Sequence, residues 1–152
     1  MCCVTDADVQ ILQIDTQNRK ISSVKCYLGQ QKRAFTCVAI SDDDEHLYCG
    51  TKTGDIMEFQ VQSTNFKRIA PVKVLFAQGV KTLKTLLNGD LCVGAGDGTL
   101  AKLDIQTLQI KTATQVLGGI TSIAFTSDFS FFFCGTNQCN IYWVDSSTLC
   151  PE

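Results

Sequence analysis

Several residue types and patterns are scarce in this 152-residue chain. It contains one histidine, one tryptophan and two prolines, and no apolar run approaches the ~18 residues of a membrane-spanning helix. Its 13 basic and 15 acidic residues leave a net charge of −2. No basic stripe is present that would hold a phosphate backbone. We therefore expect neither nucleic acid nor a membrane among its direct partners.

Cysteine, in contrast, is abundant, with nine residues. Met1 is not followed by the basic and apolar segments of a secretory leader. Cys49 and Cys134 occupy equivalent positions of a repeat in which Val93 stands between them, as expected of a small buried apolar side chain. This pattern predicts free thiols in a reducing, cytosolic compartment. The alternative is a secreted chain whose odd number of cysteines leaves one thiol over.

A pattern of small residues occurs three times, at residues 49–56, 93–99 and 134–141. Gly50 and Gly94 are 44 residues apart, and Gly94 and Gly135 are 41 apart. A period of about 40–45 residues with short apolar strands is typical of the blades of a WD-type β-propeller. Because a propeller has roughly 4–8 blades, the chain holds only about three and a half. We therefore expect either a piece of a longer protein or open ends that something else closes.

Apolar residues alternate with polar ones throughout the repeats, which predicts half-buried strands. The predicted fold is all-β, a WD40-type propeller segment of about three to four four-stranded blades in an incomplete ring. Residues 1–30 form a partial blade, 31–77 and 78–118 form blades, and 119–152 form a partial blade. In the first two repeats a glycine-bearing hairpin turn, residues 53–55 or 96–98, precedes the third strand. A more polar fourth strand follows in the repeats, for example from Ile69 to Phe76. The predicted structural turn residues are Gly50, Gly54, Asp55, Gly94, Asp97, Gly98 and Gly135.

Three segments of the chain, residues 41–56, 79–96 and 118–142, together resemble the later blades of the first propeller in the WD-repeat cilia- and flagella-associated protein 52 family. The resemblance implies two tandem propellers in a non-enzymatic structural protein of motile cilia, inside the doublet microtubules of the axoneme. It also implies tubulin and other axonemal proteins as partners. The chain departs from the general WD pattern because no Gly-His pair opens a repeat and His46 is the only histidine. The usual Asp-His-Ser/Thr-Trp hydrogen-bond network is therefore not expected.

The longest block of like charge is Asp42, Asp43, Asp44 and Glu45. Clustered carboxylates suit Ca²⁺, but the alternation and central glycine of an EF-hand loop are absent. We interpret the block as a solvated turn and as a possible partner-facing loop for a basic protein.

No pattern supports a catalytic, cofactor or metal site. The chain has no Cys-x-x-Cys spacing, and its glycine-rich segment 94–98 lacks the Gly-Lys-Ser/Thr ending of a phosphate loop. No cysteine is singled out as the partner of His46 in a catalytic pair. An enzyme would use polar groups on the innermost strands, and the positions assigned there are apolar: Leu47, Cys49, Leu91, Val93 and Cys134.

The sequence therefore predicts a non-enzymatic scaffold without cofactors. The alternative to a ciliary protein is a generic cytosolic WD-repeat adaptor in a multiprotein complex. We also expect the chain to associate with itself through open blade faces.

Overall fold

The computed structural model describes residues 2–5, 7–70 and 76–151, without the side chains of residues 2–4. These residues form only β-strands, turns and loops. In the described part of the chain, no helix is long and apolar enough to cross a membrane. The strands are β1 (Cys2–Val4), β2 (Val9–Asp15), β3 (Lys20–Lys25), β4 (Phe35–Ile40), β5 (His46–Thr51), β6 (Ile56–Gln60), β7 (Phe66–Ala70), β8 (Val80–Thr85), β9 (Asp90–Ala95), β10 (Thr99–Asp104), β11 (Ile110–Gln115), β12 (Ile120–Phe125), β13 (Phe131–Thr136) and β14 (Ile141–Asp145).

These strands form four antiparallel sheets, and consecutive strands are neighbours in each. Sheet I contains β1–β3, sheet II β4–β7, sheet III β8–β11 and sheet IV β12–β14. The fourth strand of sheet II was predicted from Ile69 to Phe76, whereas β7 is Phe66–Ala70 and residues 71–75 lie outside the described part. The rim strands β3 and β11 are mostly exposed, which explains their polar sequences.

Three apolar clusters lie between successive sheets. Val9 and Ile11 of sheet I pack with sheet II, Ile56 of sheet II packs with sheet III, and Leu100 of sheet III packs with sheet IV. Burying one such side chain contributes about 1.5–3 kcal/mol. The sheets are therefore held by stacking, as in repeat proteins whose units contact only their neighbours.

The first strands β4, β8 and β12 lie side by side along the stack. They are therefore the innermost strands, and the assignment of Leu47, Leu91 and Cys134 to that position was wrong. Those residues, with Cys49 and Val93, lie on the second strands β5, β9 and β13. Their apolar side chains fill the space between sheets. They are therefore no argument about the residues that line the central channel.

Three of the predicted turn glycines also need correction, because Gly50, Gly94 and Gly135 lie inside β5, β9 and β13. Each stands opposite an irregularity in the first strand, where the pairing register shifts by one residue. Glycine suits such bulges because it brings no side chain to a locally distorted ladder. Gly54 and Gly98 do lie in the turns, with φ angles of 92° and 91° that favour glycine.

Candidate functional site

The acidic loop, residues 42–45, joins β4 to β5 and is exposed at all four positions. Asp43 has an internal role: its Oδ1 accepts hydrogen bonds from the Ser41 hydroxyl and from the Glu45 N–H, the latter at 3.0 Å. The Ser41 bond is the main cause that lowers the Asp43 pKa. Asp44 adopts a φ of 57°, so it shapes the turn through its backbone. Asp42 and Glu45 are the carboxylates best placed to meet a partner.

The corresponding loop of sheet IV is built in the same way. The Thr126 hydroxyl donates to Asp128 Oδ1 at 2.6 Å, and the Ser130 N–H donates to the same oxygen at 3.2 Å. These bonds hold the Asp128 pKa down at about 2. An aspartate thus has the same role in the turns of sheets II and IV, whereas in sheet III Asn88 Oδ1 accepts the Asp90 N–H at 3.2 Å. Among the described residues, no group of three or more His, Cys, Asp or Glu side chains is placed to hold a metal ion.

A buried carboxylate that the sequence did not reveal lies next to the acidic loop. The Glu58 side chain is 1% exposed, with Lys67 Nζ 3.1 Å from its Oε1 and Arg68 Nε against its Oε2. His46 Nδ1 lies 3.2 Å from Oε1 without hydrogen-bond geometry. Arg68 Nη2 also donates to the Ile105 carbonyl oxygen at 3.2 Å, so this cluster ties sheet II to sheet III.

Sheet III carries a related cluster with a different arrangement of charge. Its carboxylate, Asp90, lies on the second strand and Lys102 on the third, whereas Glu58 of sheet II lies on the third strand. Lys111 Nζ lies 2.6 Å from Asp90 Oδ1, and Lys102 Nζ lies 3.6 Å from Asp90 Oδ2. Lys102 also donates to the Ser146 carbonyl oxygen at 2.9 Å, which ties sheet III to sheet IV. Both clusters therefore join neighbouring sheets through a cation and a carbonyl oxygen.

The predicted turn residue Asp55 is buried and belongs to a third polar network. Arg33 Nε lies 2.8 Å from its Oδ2, and the Thr51 hydroxyl donates to its Oδ1. Arg33 thus ties the segment before β4 to the β5–β6 turn. Asp97, in contrast, accepts the Thr99 N–H with its Oδ1 at 3.0 Å, and its carbonyl oxygen accepts Gln115 Nε2–H at 2.6 Å.

Four of the cysteines that the structure describes are buried packing groups. Cys26, Cys49, Cys92 and Cys134 are buried and not in disulfides, whereas Cys139 and Cys150 are exposed. Burial raises the pKa of Cys92 to about 12 and that of Cys134 to about 11. These two thiols are therefore protonated near pH 7 and are poor nucleophiles.

Comparison with known proteins gives matches of two kinds. Cilia- and flagella-associated protein 52 from Mus musculus is 36% identical over 90% of this chain, and the protein of that name from Chlamydomonas reinhardtii is 36% identical over 95%. The predicted resemblance is confirmed. The human protein of that name is 34% identical over 90% of the chain. No protein-family model matches.

Solved structures show the fold independently of sequence. A chain in the crystal structure of a mitotic checkpoint complex matches with a TM-score of 0.79 over 99% of this chain and 46% of that chain, at 16% identity. The RRP9 WD40 repeats match with a TM-score of 0.73 over 82% of this chain and 39% of that chain, at 13% identity. The predicted WD40-type propeller segment is therefore confirmed. The chain spans only 22–24% of the length of its cilia- and flagella-associated relatives.

Proposed function

We propose that this chain is part of a non-enzymatic WD-repeat protein of cilia or flagella, with a structural role in the axoneme. The observation that carries the proposal is the similarity to cilia- and flagella-associated protein 52 across 90–95% of the chain, in mouse and in a green alga alike. The stacked sheets fit this role because their contacts build a rigid support for exposed loops.

The finer part of the proposal places the protein inside the doublet microtubules, in contact with tubulin and other axonemal proteins, where it stabilises the axoneme during motility. The internal ion clusters of Glu58 and Asp90 support a load-bearing role, because each links one sheet to the next. Such links resist shear between sheets better than apolar contact alone, since hydrogen bonds are directional.

Extraction of isolated axonemes tests this placement. The whole protein, tagged in ciliated cells, is followed by immunoblot through detergent, rising salt and final disruption of the doublets. We expect retention through high salt and release only when the doublets break down. Release by detergent or low salt would instead favour the soluble adaptor.

The acidic loop is the part of the proposal that a mutation can test. Asp42→Asn with Glu45→Gln removes two negative charges from exposed positions and leaves the structural Asp43 intact. Gln17→Lys with Gln138→Lys raises the net charge by the same amount at exposed positions in turns of sheets I and IV. If the loop meets a basic partner, only the first pair lowers the salt concentration at which the protein leaves the axoneme, because screening weakens such contacts. Equal behaviour of the two pairs would exclude the loop as a contact.

A further inference from the structure

A groove lies between sheets III and IV, at the edge of the stack that also carries the acidic loop. Its walls are the β8–β9 turn of sheet III on one side and the β12–β13 turn with the segment after β14 on the other. We call it the III–IV groove. Its volume of about 550 Å³ is within the range of roughly 300–1,000 Å³ that is usual for binding cavities.

The corresponding groove between sheets II and III is smaller, with a volume of about 280 Å³. Glu58 and Lys102 occupy equivalent positions of the third strands β6 and β10. Arg68 pairs with Glu58 across the sheet, lines the smaller groove and donates to the Ile105 carbonyl oxygen on its far side. Thr112 pairs with Lys102 at the same place in sheet III, and its short side chain cannot reach as far. The III–IV groove is therefore open where an arginine fills its counterpart.

One wall of the III–IV groove carries an exposed leucine. The turns between the first and second strands of sheets II, III and IV are closed by the same backbone hydrogen bond, which makes Leu87 equivalent to Asp42 and Ser127. Sheets II and IV thus have a polar residue at this position, whereas Leu87 is apolar and 69% exposed. Single exposed leucines are common on protein surfaces, but this one borders a cavity. Leu87 therefore offers apolar contact area to a side chain that enters the groove.

The opposite wall carries Phe129 in a backbone conformation that does not suit a bulky residue. Its φ is 57°, and the equivalent residues with positive φ in sheets II and III are Asp44 and Gly89. Glycine and aspartate tolerate this region, whereas phenylalanine is strained there. The ring stacks on Phe125 with a centroid distance of 5.5 Å and is still partly exposed. Because strain of this kind is concentrated at functional positions, we assign Phe129 a contact role.

Carboxylates surround these apolar walls. Asp128 and Asp145 line the groove, and hydrogen bonds within their turns hold the pKa of each at about 2, so both are ionised at neutral pH. Asp42 of the acidic loop lines an adjoining cavity together with Phe129, which also lines the groove. The acidic loop and the III–IV groove therefore form one continuous surface.

Two lysines also line this surface, and they do not cancel its negative charge. Lys102 lies 3.6 Å from Asp90 Oδ2 and donates to the Ser146 carbonyl oxygen, so its charge is used within the fold. Lys84 is exposed and lines the adjoining cavity. The four carboxylates of the acidic loop, with Asp128 and Asp145, outnumber it, and the surface is acidic.

We propose that the III–IV groove and the acidic loop together bind a segment of a partner protein in which a large apolar side chain is flanked by lysines or arginines. The apolar side chain enters the groove between Leu87 and Phe129, and the flanking cations meet the carboxylates around it. Charge complementarity selects a basic segment, because like charges across an interface cost affinity. The inference rests on the proposed function, since it names the chemistry of the partner that the acidic loop meets.

Photocross-linking of the whole protein in ciliated cells tests the proposal. The photoreactive amino acid p-benzoyl-phenylalanine replaces Leu87, and isolated axonemes and the soluble fraction are irradiated separately. We expect cross-links to a segment of another protein with at least two lysines or arginines within five residues of the attached one. Leu117 is the matched control position, because it is 65% exposed in the loop between β11 and β12, at the opposite edge of the stack. It should give no such segment.

A second measurement tests the apolar contact itself. With the photoreactive residue at Ser127, which lines the adjoining cavity, Leu87→Ser should lower the cross-link yield at least fivefold, and Leu117→Ser should change it less than twofold. Both leucines are exposed, so neither variant should unfold the chain. Equal yields from the two variants would overturn the proposal.

The cross-links at position 87 distinguish this proposal from the proposed function. Attachment to an acidic segment or to another part of the same protein would overturn it, and so would a yield no higher than at position 117. A protein that the doublets retain without this cross-link would leave the axonemal role standing alone. A basic partner segment found only in the soluble fraction would support the groove and remove the axonemal role.

Discussion

Sheets II and III carry charged side chains on the faces that pack against the next sheet along the chain, whereas sheet IV carries aromatic rings at the equivalent positions. Glu58 and Lys102 are buried, and a cation of each cluster reaches a carbonyl oxygen of the next sheet, Ile105 or Ser146. Trp143, at the same position, remains 38% exposed. A buried charge is tolerated only where oppositely charged or hydrogen-bonding groups surround it, and here the neighbouring sheet supplies some of them. The covered junctions between described sheets therefore combine apolar packing with hydrogen bonds from buried ion clusters, whereas the corresponding face of sheet IV carries aromatic rings.

The largest expected effect comes from breaking a covered junction at its carboxylate. Glu58→Gln leaves Lys67 and Arg68 without a buried negative partner. We expect a loss of about 2–3 kcal/mol in the free energy of unfolding, in the range for charged hydrogen bonds and discounted because both cations are partly exposed. Urea denaturation measures it. Glu45→Gln, an exposed change of the same kind, is the control, and an equal effect of the two would show that the cluster adds no stability.

A methyl group added at the strand glycines compares the junctions sterically. Gly94→Ala forces a Cβ against Ile120 and Thr82, and we expect it to cost about 1–3 kcal/mol, as overpacking does. Gly135→Ala meets only hydroxyl groups of its own sheet, so the monomer should lose less than about 0.5 kcal/mol. Thermal or urea unfolding of dilute protein measures both. Equal losses would mean that the Gly135 face is already covered in the monomer.

The hairpin turn of sheet IV differs from those of sheets II and III at one residue, and we expect a smaller effect on stability there. Cys139 has a φ of 60° at the position held by Gly54 and Gly98. Cys139→Gly should therefore stabilise the chain by about 0.5–1 kcal/mol, because a non-glycine residue is strained in this region. Cys150→Gly, at an exposed position outside the positive-φ set, serves as the control and should not stabilise. The midpoint of urea unfolding distinguishes the two.

The smallest expected effect is a dependence on acid pH. Hydrogen bonds within the turns that follow β10 and β14 hold the pKa values of Asp104 and Asp145 at about 2, below the usual value near 4. Their folded-state pKa is depressed, so their contribution is complete above about pH 4 and is lost as the pH falls towards 2. Asp104→Asn with Asp145→Asn should flatten this part of the stability profile. Gln60→Asn, at the non-titrating equivalent in sheet II, should leave its slope unchanged.

The strand order, the hairpin turns at Gly54 and Gly98 and the polar rim strands could be predicted, because each depends on local periodicity or on backbone conformation. The placement of Gly50, Gly94 and Gly135 inside strands could not be predicted. A glycine opposite a β-bulge cannot be distinguished by sequence alone from a glycine in a turn. The clusters around Glu58 and Asp90 were also missed. Equivalent positions hold Glu58, Lys102 and Trp143, so no residue type is repeated that would reveal them.

One signal in the sequence was overlooked. Asp104 and Thr107, and likewise Asp145 and Thr148, are three residues apart, and each aspartate accepts the threonine N–H at 2.9 or 3.0 Å. Aspartate followed at this spacing by threonine is a recognisable turn pattern. The partner-facing role of the acidic loop depends on contacts outside this chain and remains a prediction. The blade boundaries proposed from the repeat also remain predictions.

The fluorescence of Trp143 tests the central claim most directly, because it is the only tryptophan and lies on the sheet IV face that no other described sheet covers. Acrylamide quenching of Trp143 is compared with that of a tryptophan introduced by Tyr48→Trp in a chain that also carries Trp143→Phe. Tyr48 is 1% exposed on the equivalent, covered face of sheet II, and Trp143 is 38% exposed. We expect strong quenching of Trp143 and weak quenching of the tryptophan at position 48. Equal quenching of the two would contradict the account.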